Sequence, residues 1–543
     1  MFRPRMNDRV MKSGTSVVKA CLAAALWYST GATALAAEDV LVIRGVSIHG
    51  RFNGGADIDK GVVIIRDGKI TAVGGMDLSV PRGATIIELE GGSLTPGLID
   101  ANALLEPTDR ITEEARNGRP RQPLPPPPDF AAADRSDDDL EDHDHAGHSH
   151  DAAQPDPMGA PILTWVETIE DAAAFSCCAL DSCAMASMHE LMGEGTVCPT
   201  CGEVILSAEE HALYASGLAP RTSLVESSSE VVPHTLVIDT INFRSPDFDR
   251  LVRGGVTTVF AAPDSAAVIG PRGAVIRTAG PMNTRVLNDA ADVTASFGSD
   301  SFRVGPGNRS PFGTFVTRLT RRPNSRMGVA WVFRKAFYDA EKGLAGHAVT
   351  GADAPPGEAY EALGAIRAGA APLRLKARLQ RDIEAAFRLA NELGLSFTLV
   401  EATEAYKCLP TIVNGKAPVI FGPIYIDPNG VRAFSEETRE SRLSTLAMLM
   451  DAGVETALTA MDLREEDGLA RQVMYAMRAG VSFESALKAV TLTPAKMLGV
   501  ADQVGSIEVG KRGDVVVWSG RPFEATSRPV AVVMDGKIVY DAR

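Results

Sequence analysis

The chain has 543 residues, of which 45% are hydrophobic and 23% charged, and its formal net charge is −15. This length is too great for one simple core and predicts a large domain with at least one smaller unit. The acidic balance argues against nucleic acid and against an anionic membrane surface, because both bind basic faces. The partner classes that remain are an unidentified small molecule and another protein.

The N-terminal segment has the pattern of a secretory signal peptide. Its basic residues are Arg3, Arg5, Arg9, Lys12 and Lys19. An apolar stretch at 20–28 and the small-x-small motif Ala34-Leu35-Ala36 follow. The apolar stretch is too short to cross a bilayer comfortably, which disfavours the alternative of a membrane anchor. We therefore expect an exported protein, periplasmic or extracellular, with no membrane span after cleavage.

Short strands joined by tight turns are predicted at both ends of the chain. Asp67-Gly68 and Asp535-Gly536 are the turn signals of two hairpins, each flanked by apolar, β-branched residues. The middle of the chain alternates apolar segments with amphipathic ones. The apolar segments are 255–261, 328–331, 396–400 and 418–421, and the amphipathic segments are 358–368, 379–393, 442–452 and 466–479. This alternation is typical of a parallel α/β barrel or sheet.

The alternation breaks in a long insertion at 107–232. This stretch is proline-rich at 123–128 and dense in Asp and His at 134–151. Such a composition predicts a disordered or loosely ordered segment. Without it, the barrel region has about 250 residues, which is the usual size of a (β/α)8 barrel.

Three groups of residues resemble the amidohydrolase superfamily. Residues 94–100 (LTPGLID) look like the strand that opens the barrel of that superfamily. Residues 493–518, with GSI at 505–507 and GKRGDVVVW at 510–518, are similar to its return into a terminal β-sandwich. Residues 254–259 (GGVTTV) and 268–270 (VIG) resemble the imidazolonepropionase-like branch.

The resemblance implies a (β/α)8 TIM barrel with a composite β-sandwich built from the N- and C-terminal segments. It divides the chain into a signal peptide at 1–36, a sandwich with final helices at 37–95 and 466–543, a barrel at 96–106 and 233–465, and the insertion. It also implies hydrolysis of C–N bonds other than peptide bonds at the barrel mouth, by a metal-bound hydroxide. Members of the family often form homo-oligomers, but the resemblance does not determine the oligomeric state of this chain.

The histidines that such a metal site needs are missing from their expected positions. Of nine histidines, only His347 lies after His234. The positions that the resemblance assigns to metal ligands, to a bridging lysine and to a proton-transferring aspartate hold mostly other residue types. These vestigial positions are Asn102, Leu104, Arg277, Lys376, Arg378, Glu401 and Asp462. Met461 fits the last position as well as Asp462 does.

The chemistry of these replacements predicts that the barrel binds no metal. Leucine cannot ligate a metal, and asparagine is a poor ligand for zinc, which prefers imidazole, thiolate or carboxylate. Arg277 cannot lose its charge to form a bridging carbamate. We expect Arg277, Lys376 and Arg378 to supply the positive charge of the lost metal beside Glu401 and Asp462. The alternatives are that these side chains point into solvent, or that Lys376 forms a Schiff base.

Five of the seven cysteines lie between Cys177 and Cys201, within the insertion. Cys178, Cys183, Cys198 and Cys201 have the spacing of a four-thiolate zinc site, and a closed site of this kind is structural. Cys177 is an alternative ligand to Cys178, and His189 or His211 is an alternative to one of the four sulfur ligands. Disulfides are the competing interpretation in an oxidising compartment. The His-rich tract 143–150 either chelates metal weakly or is a solvated acidic linker.

Three functions remain open from the sequence. The first is an exported amidohydrolase-fold protein without metal-dependent hydrolytic activity, a pseudoenzyme that acts through binding or assembly. The second is an active hydrolase of C–N bonds with a rebuilt metal site. The third is a periplasmic metal-binding protein.

Overall fold

A computed structural model describes residues 40–53, 55–105, 229–301, 323, 325–349, 355–424, 440–461, 463 and 468–543. The predicted signal peptide, the cysteine cluster, the His-rich tract and Asp462 lie outside these residues. The strands are β1 Val40–Ile48, β2 Ile58–Arg66, β3 Lys69–Gly75, β4 Thr85–Glu88, β5 Ser93–Pro96, β6 Leu98–Ala103, β7 Val256–Ala261, β8 Ile269–Arg272, β9 Ala274–Arg277, β10 Val286–Asn288, β11 Val293–Ser296, β12 Leu373–Ala377, β13 Thr398–Glu401, β14 Val419–Phe421, β15 Thr456–Leu458, β16 Val515–Trp518, β17 Pro529–Met534 and β18 Lys537–Asp541. The helices are α1 Pro246–Arg253, α2 Met282–Arg285, α3 Arg326–Leu344, α4 Gly357–Arg367, α5 Gln380–Leu393, α6 Leu409–Gly415, α7 Thr445–Asp451, α8 Leu469–Arg478, α9 Phe483–Ala489 and α10 Leu492–Met497.

Both ends of the described chain contribute to one eight-stranded sheet. Its order is β18-β17-β16-β5-β1-β2-β3, and β4 pairs with β1. The two predicted hairpin turns are confirmed, since Asp67-Gly68 joins β2 to β3 and Asp535-Gly536 joins β17 to β18. All four turn residues have a positive φ, which Asp and Gly tolerate in tight hairpins. One face of the sheet buries a core of aliphatic residues from both chain ends, including Ile43, Ile65 and Val517.

A barrel of TIM type follows the first five strands. Strands β6 and β7 pair in parallel, and so do β11 through β15 in sequence order. The circle closes where β15 returns to β6, because Leu104 N donates to the Met461 carbonyl at 3.1 Å and Ala460 N donates to Asp100 Oδ2 at 3.0 Å. The carboxyl ends of these parallel strands form one rim, here called the mouth.

The third position of the barrel departs from the expected all-parallel order. Strand β8 runs antiparallel to β11, and β9 runs antiparallel to β7. The two strands are separated only by Gly273, so residues 269–277 form one kinked strand between β7 and β11. Gly273 packs against Phe260, and a Cβ there would lie 2.2 Å from the Phe260 ring. Glycine is therefore required at the kink.

The helices cover the barrel, with two differences from the sequence prediction. Residues 328–331 were expected as a strand but lie within α3, where Val329, Phe333 and Phe337 are buried at helical spacing. Ser325 caps this helix by accepting from Gly328 N at 3.2 Å. The final helices α8–α10 pack on β15 and β6, so they belong with the barrel instead of the terminal sheet. Within the described residues, no helix combines the length and apolarity needed to cross a membrane.

Candidate functional site

Strand β12 lines the barrel interior with cations. Leu373, Leu375 and Ala377 belong to the apolar core shared with the surrounding helices. Because side chains alternate along a strand, Arg374 and Lys376 point the other way, into the barrel. Arg378 continues this row just beyond the strand end. The three residues are only 0%, 4% and 7% exposed, so each needs compensating partners.

Arg374 is fixed in the interior by three contacts. Its Nε donates to Asp292 Oδ2 at 2.6 Å, and its Nη1 donates to the Ala101 carbonyl. The guanidinium also lies over the Phe260 ring, 3.5 Å from the ring centroid. A guanidinium can combine such stacking with a directed ion pair, which an ammonium does less well. Arg374 therefore stabilises the barrel centre beneath the mouth.

Lys376 lies nearer the mouth and faces three oxygen atoms. Its Nζ donates to the Pro263 carbonyl at 3.3 Å and to Ser265 Oγ at 3.1 Å. Glu401 Oε1 lies 4.0 Å from the same nitrogen. These contacts hold the amine between the segment after β7 and the end of β13.

Arg378 joins two carboxylates at the mouth. Its Nε donates to Glu401 Oε2, and its Nη2 donates to Asp300 Oδ2 at 2.6 Å. Burial disfavours the charged guanidinium, but Asp300 and Glu401 outweigh that cost and hold the pKa of Arg378 well above its usual value. Arg378 is thus a permanent cation whose charge is balanced within the mouth.

The backbone of Glu401 is in the left-handed region, with φ of +72°, and Ala402 follows with φ of +51°. Regular alternation would place Glu401 on the same side as Leu399, which packs in the helix-facing core. The left-handed turn instead brings its carboxylate to Lys376 and Arg378. A non-glycine residue held in this region costs about 1–3 kcal/mol, and such strain is concentrated at functional sites.

The structure therefore brings together Lys376, Arg378 and Glu401, three of the residues singled out from the sequence. It also reveals partners that the sequence reasoning missed. These are Arg374, Asp292, Asp300 and Ser265. The spacing of Arg374, Lys376 and Arg378, every second residue of an apolar strand, is a signal that points to Arg374. The carboxylates and Ser265 come from distant segments and carry no local signal.

Arg277 corrects the sequence-based expectation, because it does not lie near the other cations. It is fully buried and pairs with Asp514, from Nη2 to Oδ1 at 2.7 Å, and with Asp535, from Nη1 to Oδ2 at 2.5 Å. The reason is the reversed direction of β9, which places Arg277 opposite Thr258 near the start of β7. Arg277 thus joins the far end of the barrel to the terminal sheet.

Arg277 and Asp514 form an ion pair at the end of the barrel away from the mouth, and each side chain affects the pKa of the other. Burial raises the pKa of the Asp514 carboxyl, although Arg277 opposes that shift. For Arg277, burial disfavours the charge, but Asp514 and Asp535 more than compensate and raise its pKa. The pair is a structural connection between the terminal sheet and the barrel.

The residues present at the mouth do not fit a catalytic zinc ion. Leu104 has no donor atom, and Asn102 offers only a carboxamide. The cationic groups of Lys376 and Arg378 are held near Glu401, where they would repel a dication. In the described part of the chain, no three His, Cys, Asp or Glu residues are arranged to hold a metal ion. His49 lies in the terminal sheet region, where Nδ1 is 2.7 Å from Asp57 Oδ2.

Asn102 itself is fully buried at the end of β6, and neither polar atom of its side chain hydrogen-bonds to any described residue. Its neighbour Asp100 has a structural role. The Asp100 carboxylate accepts from Asn102 N at 3.0 Å, Ala460 N at 3.0 Å and the Thr459 hydroxyl. Asp100 therefore connects β6 to β15 and closes the barrel.

Comparison with known proteins gives one family and several partial relatives. Residues 412–539 match the model of the Amidohydrolase family. The amidohydrolase tasK of Hapsidospora irregularis is 27% identical over 368 residues, which cover 63% of this chain and 36% of that protein. The imidazolonepropionase of Shewanella baltica (strain OS185) is 31% identical over 112 residues, which cover 17% of this chain and 27% of the enzyme. The match thus spans little more than a third of the first relative, at 36%, and 27% of the second.

Among solved structures, the amidohydrolase from Thermotoga maritima MSB8 superposes with a TM-score of 0.61 at 23% identity. The match covers 92% of this chain and 100% of that chain. At this level of identity the likeness concerns the fold alone, and it agrees with a barrel of TIM type that is completed by strands from both chain ends.

Proposed function

We propose that this chain, a member of the amidohydrolase superfamily in its imidazolonepropionase-like branch, no longer performs metal-dependent hydrolysis and instead binds a small molecule at the barrel mouth. The single observation behind this proposal is the ion-pair group of Lys376, Arg378 and Glu401. It places two fixed cations, one of them with a raised pKa, at the mouth, where active relatives would need metal ligands.

The physical argument concerns charge. A catalytic metal polarises its substrate and supplies a hydroxide at neutral pH. The side chains of Lys376 and Arg378 supply positive charge and hydrogen-bond donors but no such nucleophile. Held by Glu401 and Asp300, they form a rigid polar surface suited to orienting a ligand with carbonyl or carboxylate oxygens. The strained backbone of Glu401 supports a binding role for this surface.

Metal content and turnover of the full-length protein test this proposal. We propose that the insertion holds a structural zinc on Cys178, Cys183, Cys198 and Cys201. The test variant replaces these four cysteines by serine, and Cys408→Ser is the matched control. We expect one zinc per chain in the wild type and the control, none in the variant, and no hydrolysis of amides, cyclic amides or ureas with added zinc or manganese. Zinc retained by the four-serine variant together with metal-stimulated turnover would refute the proposal.

Export is a separate part of the proposal and rests on the N-terminal pattern of basic, apolar and small residues. Expression of the full chain in a Gram-negative host, followed by fractionation and N-terminal sequencing, tests it. We expect the mature protein in the periplasm with a new N-terminus after Ala36. Cytoplasmic protein that retains Met1 or Phe2 contradicts export.

A further inference from the structure

Helix α3 carries an apolar stripe on its outer surface. Met327, Trp331 and Tyr338 are 82%, 52% and 44% exposed, so the described elements of the chain leave them largely uncovered. At 3.6 residues per turn, the three side chains lie within about 40° of one line along the helix axis. Single exposed hydrophobic residues are ordinary, whereas an aligned group that includes a tryptophan indicates a contact surface. These three residues are here called the α3 stripe.

The α3 stripe lies beside the contact between α3 and α5. Arg334, which follows Trp331 by about one turn, pairs with Glu392 of α5, with Nε 2.8 Å from Oε1. The Tyr338 hydroxyl hydrogen-bonds to the same carboxylate. Tyr338 is therefore held in place while much of its side chain stays exposed, and a partner that docks there would not need to order it first.

The narrow width of the α3 stripe favours an extended partner over a helix. A helix that packs against another helix buries an apolar face at least about 100° wide, and the α3 stripe is less than half as wide. Charged residues border the stripe on both sides, since the side chains of Lys335 and Glu341 are 39% and 61% exposed. An extended peptide needs only one narrow row of contacts, so it fits this surface better than a second copy of α3 does.

The insertion contains a segment whose repeat matches the α3 stripe. Residues 119–128 have the sequence RPRQPLPPPP and lie outside the described residues. Proline-rich sequences favour the polyproline II helix, in which residues three positions apart lie on one side and about 9 Å apart. Trp331 and Tyr338 are separated by about 10.5 Å along the axis of α3. Two prolines three positions apart, such as Pro125 and Pro128, therefore fit the two rings.

We propose that residues 119–128 dock on the α3 stripe and hold the insertion against the outer wall of the barrel. Proline-rich segments bind surfaces lined by aromatic side chains, and their stiffness means that little conformational entropy is lost on docking. This inference goes beyond the proposed function and does not depend on it, because the α3 stripe lies outside the barrel mouth.

The length of chain between the described parts allows this contact. The described residues stop at Leu105, at the mouth, and the chain from Leu105 to Pro123 can extend to about 60 Å. A barrel of about 250 residues has a radius of gyration of only about 18 Å. Helix α3 also passes close to the mouth, because Phe333 packs against Phe297, just after β11, with 4.9 Å between the ring centroids.

Limited trypsin digestion of the full-length protein, followed by mass spectrometry, tests the docking. The Arg121–Gln122 bond lies within the docked segment, and the Arg116–Asn117 bond lies outside it. Cleavage of a segment in rapid equilibrium follows the population of its open form. We expect the ratio of the two cleavage rates, docked bond over outside bond, to rise about 10-fold in Trp331→Ala, as for a segment that is docked about nine-tenths of the time.

A second variant removes the other partner of the contact. Replacement of the four prolines at 125–128 by alanine should raise the ratio as much as Trp331→Ala does. This variant leaves residues 119–124 unchanged, so trypsin meets the same sequence next to the bond. It also changes nothing in the barrel, so it decides the test if circular dichroism shows that Trp331→Ala fails to fold.

Leu344→Ala is the matched control. Leu344 is 54% exposed on the same helix, but its side chain is turned about 120° or more from the α3 stripe, so the ratio should stay at the wild-type value. Equal ratios in the wild type and the proline variant, or an equal rise in Leu344→Ala, would overturn the inference. A wild-type ratio that rises on dilution would assign the segment to a neighbouring copy and would also overturn docking within one chain. None of these outcomes bears on metal content or hydrolysis, so the proposed function is tested separately.

Discussion

Replacement of Arg277 by methionine should destabilise the whole protein, because it leaves Asp514 buried without its partner. The Arg277 side chain is 0% exposed and that of Asp514 is 2% exposed. Three N–H···O contacts, at 2.7, 2.9 and 3.1 Å, join the two side chains. Removing one partner of such a buried pair costs about 3–5 kcal/mol, most of it from the uncompensated charge. The free energy of unfolding from urea titration, followed by the tryptophan fluorescence to which the buried Trp518 contributes, measures the loss.

The pH dependence of this loss has a definite sign. Burial already raises the pKa of Asp514 above its ordinary value, and removal of Arg277 raises it further. A carboxyl with a raised pKa in the folded state takes up its proton more readily there than in the unfolded state, so folding gains stability as pH falls. The deficit of Arg277→Met should therefore be largest near neutral pH and shrink toward about pH 5.

Arg512→Met is the matched control. Arg512 contacts Asp535 at 2.9 Å, but both side chains are about a quarter exposed, at 25% and 24%. An ion pair with this exposure contributes about 1 kcal/mol or less. The double variant Arg277→Met with Asp514→Asn should recover part of the stability lost in Arg277→Met, since it removes the orphaned charge. A loss of under about 1 kcal/mol for Arg277→Met, or one that grows as pH falls, would refute this reasoning.

Three further predictions concern other parts of the described chain. Asp100→Ala removes the acceptor of Asn102 N, Ala460 N and the Thr459 hydroxyl, and should lower the free energy of unfolding by about 2–3 kcal/mol in urea titration; an unchanged midpoint would contradict its role in closing the barrel. Lys416 is exposed and ends α6 with φ of +52°, so Lys416→Gly should raise stability by about 0.5–1 kcal/mol while Lys416→Ala does not. Burial raises the pKa of Cys408 to about 12, so the reactive thiolate is scarce at neutral pH. Peptide mapping should therefore find Cys408 unmodified by iodoacetamide until the protein is unfolded, and rapid modification of the folded protein would show that the thiol is accessible.

Local signals in the sequence accounted for most of the elements but not for their directions. The turns at Asp67-Gly68 and Asp535-Gly536, and the helix at 380–393, follow from residue types and periodicity over a few positions. The segment 328–331 reads as a strand because its four residues alone cannot distinguish periods of 2 and 3.6. The antiparallel course of β8 and β9 depends on pairing with β7 and β11, which no local pattern encodes.

The same limit explains the outcome at the candidate site. Lys376, Arg378 and Glu401 were identified because they lie on parallel strands or directly after one. There, counting residues from the family motif gives the correct position. Arg277 was misplaced because the count assumed a parallel strand at its position. Ser265 and Asp300 approach the cations only through the folded chain, so their contacts required a structure.

The terminal sheet has a consequence for the order of events during protein synthesis. Strand β5 lies between β1 and β16, and so the N-terminal strands keep an unfilled edge until residues 515–518 leave the ribosome. An edge of this kind can recruit strands from other nascent chains. A chain that lacks β16 would leave that edge of β5 unpaired, and the N-terminal strands would stay exposed to pairing with other chains.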